Sequence, residues 1–522
     1  MSAQPSAAPT AEPATRTGTT ALLVSVLLLV SSVLGLARDL SLAGLFGATG
    51  DTDAFLVAWT VPETVSTLLM EGAMSFLLVP VFVAELARSG SVARIVRGTL
   101  LPVLTVLALL TAVVVVAAPV LVDLLAPGIA SRDLAVRCFR VAALTVLFMG
   151  LSGYLMAALR ANHRFVLPAG VNVAYNVGIL ATMYALHQRF GVFAAALGLA
   201  VGSALMVALQ VRGFLRVTSL RGLRLRLSRR LMLAAGAFVP IAAYSLGRQL
   251  QVYVERVVGS TLTPGSISYM NYASKVAQMA SLLALTAAAV AFPSMARLAH
   301  DRVALRGRVE KEMRRLLLLI TPAIAFMVVF AEPCIRLLFE HGAFDATDTA
   351  RTATIMRVYC LGLLGQVLVS LGAYVSFGSR RGIWRPAAAA VTGLLVTTVL
   401  DVALAPVLGV VALAIGNAVG ISVSALLVWV GIRRHVVELD VRGQVRLLAF
   451  ACGLSAVTAG VAWLVCLAVP ANALADVLVG GTVTLALFLV LTALANVPES
   501  QELVRAVRRG AARAVSRNRR GA

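Results

Sequence analysis

The chain has 522 residues, 60% of them hydrophobic and only 13% charged, with a mean hydropathy of +0.93 and a formal net charge of +22. Soluble domains are nearer half apolar and a quarter charged, so a cytosolic enzyme, a secreted disulfide scaffold and a disordered regulator are all excluded. What remains is an all-α integral membrane protein that crosses the bilayer many times.

The basic excess is 45 Lys and Arg against 23 Asp and Glu, and only Lys275 and Lys311 are lysines. In a soluble chain such a charge points to nucleic acid. In a membrane chain it marks loops on the cytoplasmic side, and no nucleic-acid partner is expected. The cysteines (Cys138, Cys334, Cys360, Cys452 and Cys466) form no CxxC, and none stands beside a His at metal-ligand spacing. They read as small apolar residues, with no metal site implied. No HExxH, GxSxG or P-loop pattern occurs, and no catalytic residue is assigned.

Residues 1–20 are rich in Ala, Pro, Thr and Ser and predict a disordered cytoplasmic tail. A spanning helix takes about 20 apolar residues. Fourteen stretches qualify, near 21–46, 54–86, 98–122, 134–160, 165–187, 192–215, 231–259, 266–296, 313–338, 352–378, 385–406, 409–433, 444–468 and 474–495. With the N-terminus inside, and with basic residues at span ends counted with the side they face, 34 Lys and Arg are cytoplasmic, seven are external and four (Arg38, Arg248, Arg256 and Lys275) remain within or at the ends of spans. The external loops carry Asp51, Asp53, Asp345, Asp348 and Asp476 instead. This asymmetry places both termini in the cytoplasm.

A weak internal repeat divides the chain. FGATGDTDAF (46–55) leads to VPVFVAELAR (79–88), and VGSTLTPGS (258–266) leads to FPSMARLAH (292–300); Gly47 and Gly259 are 212 apart, Pro80 and Pro293 213 apart. The repeat predicts two pseudo-symmetric six-helix lobes, 21–216 and 231–435, joined by a basic cytoplasmic linker over 217–230. Helices 13 and 14 (444–495) lie outside it, followed by a basic cytoplasmic tail over 496–522. Parallel repeats of this kind suit alternating-access transporters, with the substrate site between the halves.

A charge inside a span costs about 2.5–3.5 kcal/mol on insertion scales, so the intramembrane charges are candidates for function. Arg38, Asp39, Glu63 and Glu71 belong to the first two helices of one half, and Arg248, Glu255, Arg256 and Lys275 to those of the other. The clustering predicts one polar cavity at the junction. Lys275 is its strongest cation. Arg38 faces the cavity or snorkels, Asp39 pairs locally, and Glu255 with Arg256 forms a structural ion pair. Glu71, just before Gly72, has Arg38 or Lys275 as its expected partner. Asp401 follows Thr397 by one helical turn, which puts both on one face as a cation site or leaves Asp401 as a snorkelling acid. Asp51-Thr52-Asp53 has a metal-binding DxD spacing, but in a short external loop, which rejects the catalytic reading.

Several of these segments together resemble the MviN/MurJ family of lipid II flippases. The matching pieces are LGLARD (34–39), GDTDAF (50–55), MEGAMSFLLVPVF (70–82), VERVVGSTLTPGSISYMNYASK (254–275) and LFEHGAF (338–344). The resemblance implies a V-shaped flippase with a cationic cavity for a pyrophosphate-sugar-peptide headgroup and a groove on helices 13 and 14 for the polyprenyl tail. It also implies coupling to membrane potential or a monovalent cation gradient, without another cofactor. By position, Arg38 and Asp53 match family residues important for transport, and Lys275 stands where the family has Arg. Ser32, Ser66 and Thr67 stand where the family often has Arg, and Glu63 replaces an Asn. The expected activity is translocation of lipid II across the bacterial cytoplasmic membrane for peptidoglycan synthesis. Arg38, Lys275, Arg248 and Arg256 are its cavity cations, and Glu71 and Asp53 are their partners. The thinner cationic lining leaves two alternatives open: a flippase for another lipid-linked glycan or amphiphile, and a non-transporting scaffold that recruits cell-wall synthases.

Overall fold

The computed structural model describes residues 14–70, 78–220, 223, 249–298, 300–379, 384–468 and 472–495. All regular structure among them is helical. In chain order the helices are α1 (Ala14–Phe46), α2 (Gly50–Val65), α3 (Val79–Ser89), α4 (Ala93–Leu125), α5 (Arg132–Ala142), α6 (Leu144–Ala161), α7 (Val166–Phe190) and α8 (Phe193–Leu215). After these come α9 (residues 249–260), α10 (Ser266–Arg297), α11 (Arg302–Val329), α12 (Ala331–Phe339), α13 (Ala346–Leu361) and α14 (Leu363–Ser379). The last four are α15 (Arg385–Leu408), α16 (Val411–His435), α17 (Val441–Leu467) and α18 (Ala473–Leu494).

Among the described residues, ten helical segments are long and apolar enough to cross a membrane, or eleven with the bent α11–α12 pair taken as one. The protein is therefore a multi-pass, all-helical membrane protein. Fourteen spans are not established, because the stretches expected near 54–86 and 231–259 run into residues outside the described set. Two expectations change. Helix α1 starts at Ala14, inside the tail expected over 1–20, since extending a formed helix by a few residues costs little. The span expected over 313–338 bends by 75° between α11 and α12. Pro333 has no N–H for the carbonyl of Val329, and its ring blocks that position, so α11 cannot continue.

The described residues fall into two compact units. One is bounded by Met1–Leu42, Ala54–Leu124 and Ser131–Leu246, and the other by Ala43–Asp53, Leu125–Ala130 and Gly247–Ala522. The core of the first is built on Tyr154, fully buried on α6, with Phe82 and Phe214 edge-on to its ring at 5.4 and 6.4 Å. Its hydroxyl is satisfied by Thr99 at 2.7 Å, as a buried phenol requires. Outward, α4 shows Val106, Val113, Val116 and Val120. Such a face is at home in lipid, where it carries no penalty. The second unit packs α10, α11, α14 and α16 around Leu316, Leu317, Ile320 and Leu371. On α11 it also seats α17 and α18, and Phe330 fills the space beside Gly480 of α18.

Each unit contains the same helical hairpin. α7 ends at Gly191 (φ 55°, ψ −140°) and α15 at Gly409 (φ 56°, ψ −137°). Each glycine donates its N–H to a carbonyl four residues back, His187 or Ala405. The sequences through the turns are GVFAAALGLAVG (191–202) and GVVALAIGNAVG (409–420), identical at eight of twelve positions and 218 residues apart. Register is kept as well. A Cβ on Gly198 would meet Ile179, and one on Gly416 would meet the carbonyl of Thr397. In a membrane, where apolar surface gains nothing by leaving lipid, this close approach of backbones is what holds helices together.

Candidate functional site

Among the described residues, the candidate side chains gather in three places, one in the first unit and two in the second. In the first unit Arg38 is held on every side. Its Nε and Nη2 donate to Asp39 Oδ1 at 3.0 and 2.8 Å, Nη1 donates to Asn176 Oδ1 at 3.0 Å, and the guanidinium lies 4.2 Å from the centre of the Trp59 ring. Asn176 in turn donates to the Ser31 carbonyl at 3.3 Å. The side chain of Arg38 is only 13% exposed. A planar cation fixed by two acceptors and an aromatic face keeps its remaining N–H groups in a set direction. Asn176 and Trp59 were not singled out from sequence. Asn176 sits in a helix of unremarkable polarity 138 residues away, so only the packing of α7 against α1 brings it to Arg38.

The hydroxyls of Ser32 and Thr67 turn back to the carbonyls of Leu28 and Glu63 on their own helices. Glu71 and Arg248 lie outside the described residues.

In the second unit, Asp53 is buried and accepts three hydrogen bonds. They come from the Gly265 N–H at 2.7 Å and from the N–H and hydroxyl of Ser268 at 2.7 and 2.6 Å. It thus caps the first turn of α10 from a distant part of the chain, where an acid also meets the positive end of the helix dipole. Arg256, also buried, donates to the Ile267 carbonyl and to Asn271 Oδ1, both at 3.4 Å. Both residues therefore serve the start of α10. Around them the motif glycines make contacts that no side chain permits. The Ala343 N–H reaches the Gly44 carbonyl at 2.8 Å, and Gly47 (φ 66°) and Gly342 (φ 66°) face Ala343 and Gly44 with no room for a Cβ. The segments GDTD, TPGS and LFEHGAF are thus one packed unit. Lys275 lies in the third turn of α10 and is half-buried. Arg38 belongs to the first unit and Lys275 to the second.

The third place joins α15, α16 and α9. Asp401 is fully buried, and neither carboxylate oxygen has a hydrogen-bond partner among the described residues. The carboxylate rests on Gly416, where any Cβ would collide with Oδ1. Thr397 donates to the Gly416 carbonyl at 3.1 Å, and Asn417 donates to Glu255 Oε1 at 2.9 Å. Glu255 and Asp401 lie within electrostatic reach of each other. At the matching places of the other hairpin, 218 residues earlier, stand Ile179, Met183 and Leu199, all buried and apolar. Thr397, Asp401 and Asn417 therefore form a polar set in a frame that packs equally well without one. Among the described residues no group of three or more His, Cys, Asp or Glu has a metal-binding arrangement.

The family model described as lipid II flippase MurJ matches residues 42–482. A lipid II flippase MurJ of Burkholderia cenocepacia is 28% identical over 459 residues, covering 84% of this chain and 88% of that protein. A solved structure of lipid II flippase MurJ in an inward closed conformation superposes with a TM-score of 0.75 at 20% identity, covering 90% of this chain and 98% of that one. An inward-facing multidrug transporter of the MATE family in the MOP superfamily superposes with a TM-score of 0.65 at 14% identity, covering 79% and 97%. Those two likenesses establish the fold. With the family model spanning most of the sequence, the chain belongs to the MurJ family of lipid II flippases.

Proposed function

We propose that this chain is a flippase that carries lipid II from the inner to the outer leaflet of the bacterial cytoplasmic membrane by alternating access. The observation that supports this best is the family match over residues 42–482. Lobes over 21–216 and 231–435 are the moving parts, a division supported by the hairpin that recurs with the same turn and register. The helices at 444–495 guide the lipid tail. Both termini are cytoplasmic, in keeping with the distribution of Arg. Arg38 and Lys275 are the cations for the pyrophosphate, and the fixed guanidinium of Arg38 suits a phosphate oxygen. The basic tail over 496–522 is the contact for anionic lipid or for cell-wall synthases.

Coupling runs through a monovalent cation held by Asp401 and Thr397, with Glu255 and Asn417 completing an oxygen set. The orphaned oxygens of Asp401 support this. A buried carboxylate without donors is costly, and an acid inside a membrane protein is kept for function. Cation binding cancels that cost in one state of the cycle, and so favours that state.

A second reading, a different lipid-linked glycan, is favoured by Ser32 and Thr67. They supply no charge where the family has Arg, and the charge of Arg38 is matched by Asp39. One experiment separates the readings. The chain is expressed in a bacterium whose own lipid II flippase can be switched off. Wild type is expected to sustain growth and prevent lipid II accumulation, and the Arg38→Ala/Lys275→Ala double variant to lose both. Failure of a well-inserted wild type moves the assignment to another lipid-linked substrate. Full rescue by the double variant removes the two cations from the mechanism.

A further inference from the structure

Helix α3 has two apolar faces with different fates. Phe82 is buried against Tyr154 of α6. Val79, Val83 and Leu86 instead open onto a cavity of about 560 Å³ whose far wall is the end of α6 and the turn into α7. That volume is in the range of small-molecule and lipid sites. Among the described residues, the polar ones lining the cavity are Arg160 and His163, from the end of α6 and the turn into α7. The rim is open, with Val83 47% and Phe165 44% exposed.

The charged end is built by a tight turn. His163 takes a left-handed φ of 57°, the one non-glycine residue to do so among those described. The chain then enters α7 at Phe165, where no side chain caps the helix. The first-turn N–H groups of Val166 and Leu167, the third residue being Pro168, therefore add a positive field beside the half-buried Arg160. Arg88, Arg94 and Arg164 are exposed at the same end of the helices. Glu85, the nearby acid, is on the buried side of α3, bonded by Ser89 at 3.1 Å and approached by Arg94 at 3.7 Å.

We propose that this slot binds an anionic glycerophospholipid, with an acyl chain against Val79, Val83 and Leu86 and the headgroup phosphate at Arg160 and the start of α7. The apolar wall distinguishes it from a site for a free anion, which has no use for such a surface. The Arg at its mouth distinguishes it from an ordinary lipid contact, which needs no cation. Basic pockets between membrane helices hold anionic headgroups in this way. The bound lipid braces α3 against α6, the helix that carries the core of the first unit.

The test uses the full chain in nanodiscs of phosphatidylcholine with or without phosphatidylglycerol. Retained lipid is read by mass spectrometry and stability by thermal melting. Arg160→Gln removes the headgroup contact, Val83→Trp fills the slot, and Arg97→Gln, a surface change, is the control. Wild type and Arg97→Gln are expected to retain phosphatidylglycerol and to melt higher in its presence. Arg160→Gln is expected to bind it about fivefold more weakly, as for the loss of one basic contact to an anionic lipid. Val83→Trp is expected to lose both the lipid and the gain in melting temperature. Should Arg160→Gln fail to fold in phosphatidylcholine alone, Val83→Trp decides. Equal retention by Val83→Trp and wild type overturns the proposal. So does loss of the retained phosphatidylglycerol when an equal amount of a polyprenyl phosphate is added, which would give the slot to the transported lipid. None of these readouts depends on transport.

Discussion

Arg38 and Asp401 are both charged residues inside long helices, and the groups around them give them opposite characters. Arg38 has a carboxylate, an amide oxygen and an indole face around it, so its charge is stable whether or not substrate is present. Asp401 has no donor among the described residues, and on that ground a mobile cation is proposed for it. Asp401→Asn removes the charge. We expect transport in vesicles to lose its dependence on a monovalent cation gradient and to fall by about tenfold, equivalent to 1.4 kcal/mol of lost coupling, within the usual range for linked sites. Melting in cation-free buffer should be unchanged or higher, because an uncompensated buried acid destabilises the fold. Retained cation dependence in this variant would remove Asp401 from the coupling site. The sequence already set Asp401 and Thr397 on one helical face. It did not reveal Asn417, and it set Glu255 beside Arg256 and not near Asp401, because both come from other helices, 16 and 146 residues away in the chain.

At the level of elements, what the helices need at their ends explains the family motifs. The start of α10 is capped by Asp53, which stands 212 residues before the Gly265 N–H that it holds. That carboxylate was read from sequence as a partner for cavity cations, and its three donors now account for it as a clamp on a helix terminus. Asp53→Ala is expected to cost about 1–3 kcal/mol, the loss of a cap and of buried charge-assisted hydrogen bonds. The measurement is thermal or denaturant unfolding in detergent, with Asp51→Ala, at an exposed position, as the comparison. Equal stability of the two variants would show that the cap contributes nothing. The bend between α11 and α12 is a similar case. Pro333 was visible in the sequence, but apolar residues lie on both sides of it with only Glu332 and Arg336 between them, so a long window reads one span where the backbone makes two helices. The α7–α8 and α15–α16 hairpins went unnoticed for a different reason. Their likeness lies in a Gly-Val turn and in small residues four apart, a pattern set by backbone approach and not by polarity.

For the whole molecule, the distinction between a transporter and a scaffold rests on which parts are dispensable. Removing residues 497–522 takes away seven of the 45 Lys and Arg and leaves all the described helices in place. A flippase is expected to keep most of its complementing activity after this deletion, measured as growth when the host enzyme is switched off, and a scaffold is expected to lose it. Composition and Arg placement determined by themselves that this is a many-spanning helical membrane protein, because burying 60% apolar residues in water has no solution at this length. The family was legible separately, in short motifs whose order and spacing resemble it. The tertiary structure alone decided which of the charged residues face other side chains, which cap helices and which are left without partners. Those outcomes depend on helices far apart in sequence meeting at a particular register. A sequence pattern fixes the face on which a residue stands, and only packing fixes what stands opposite it.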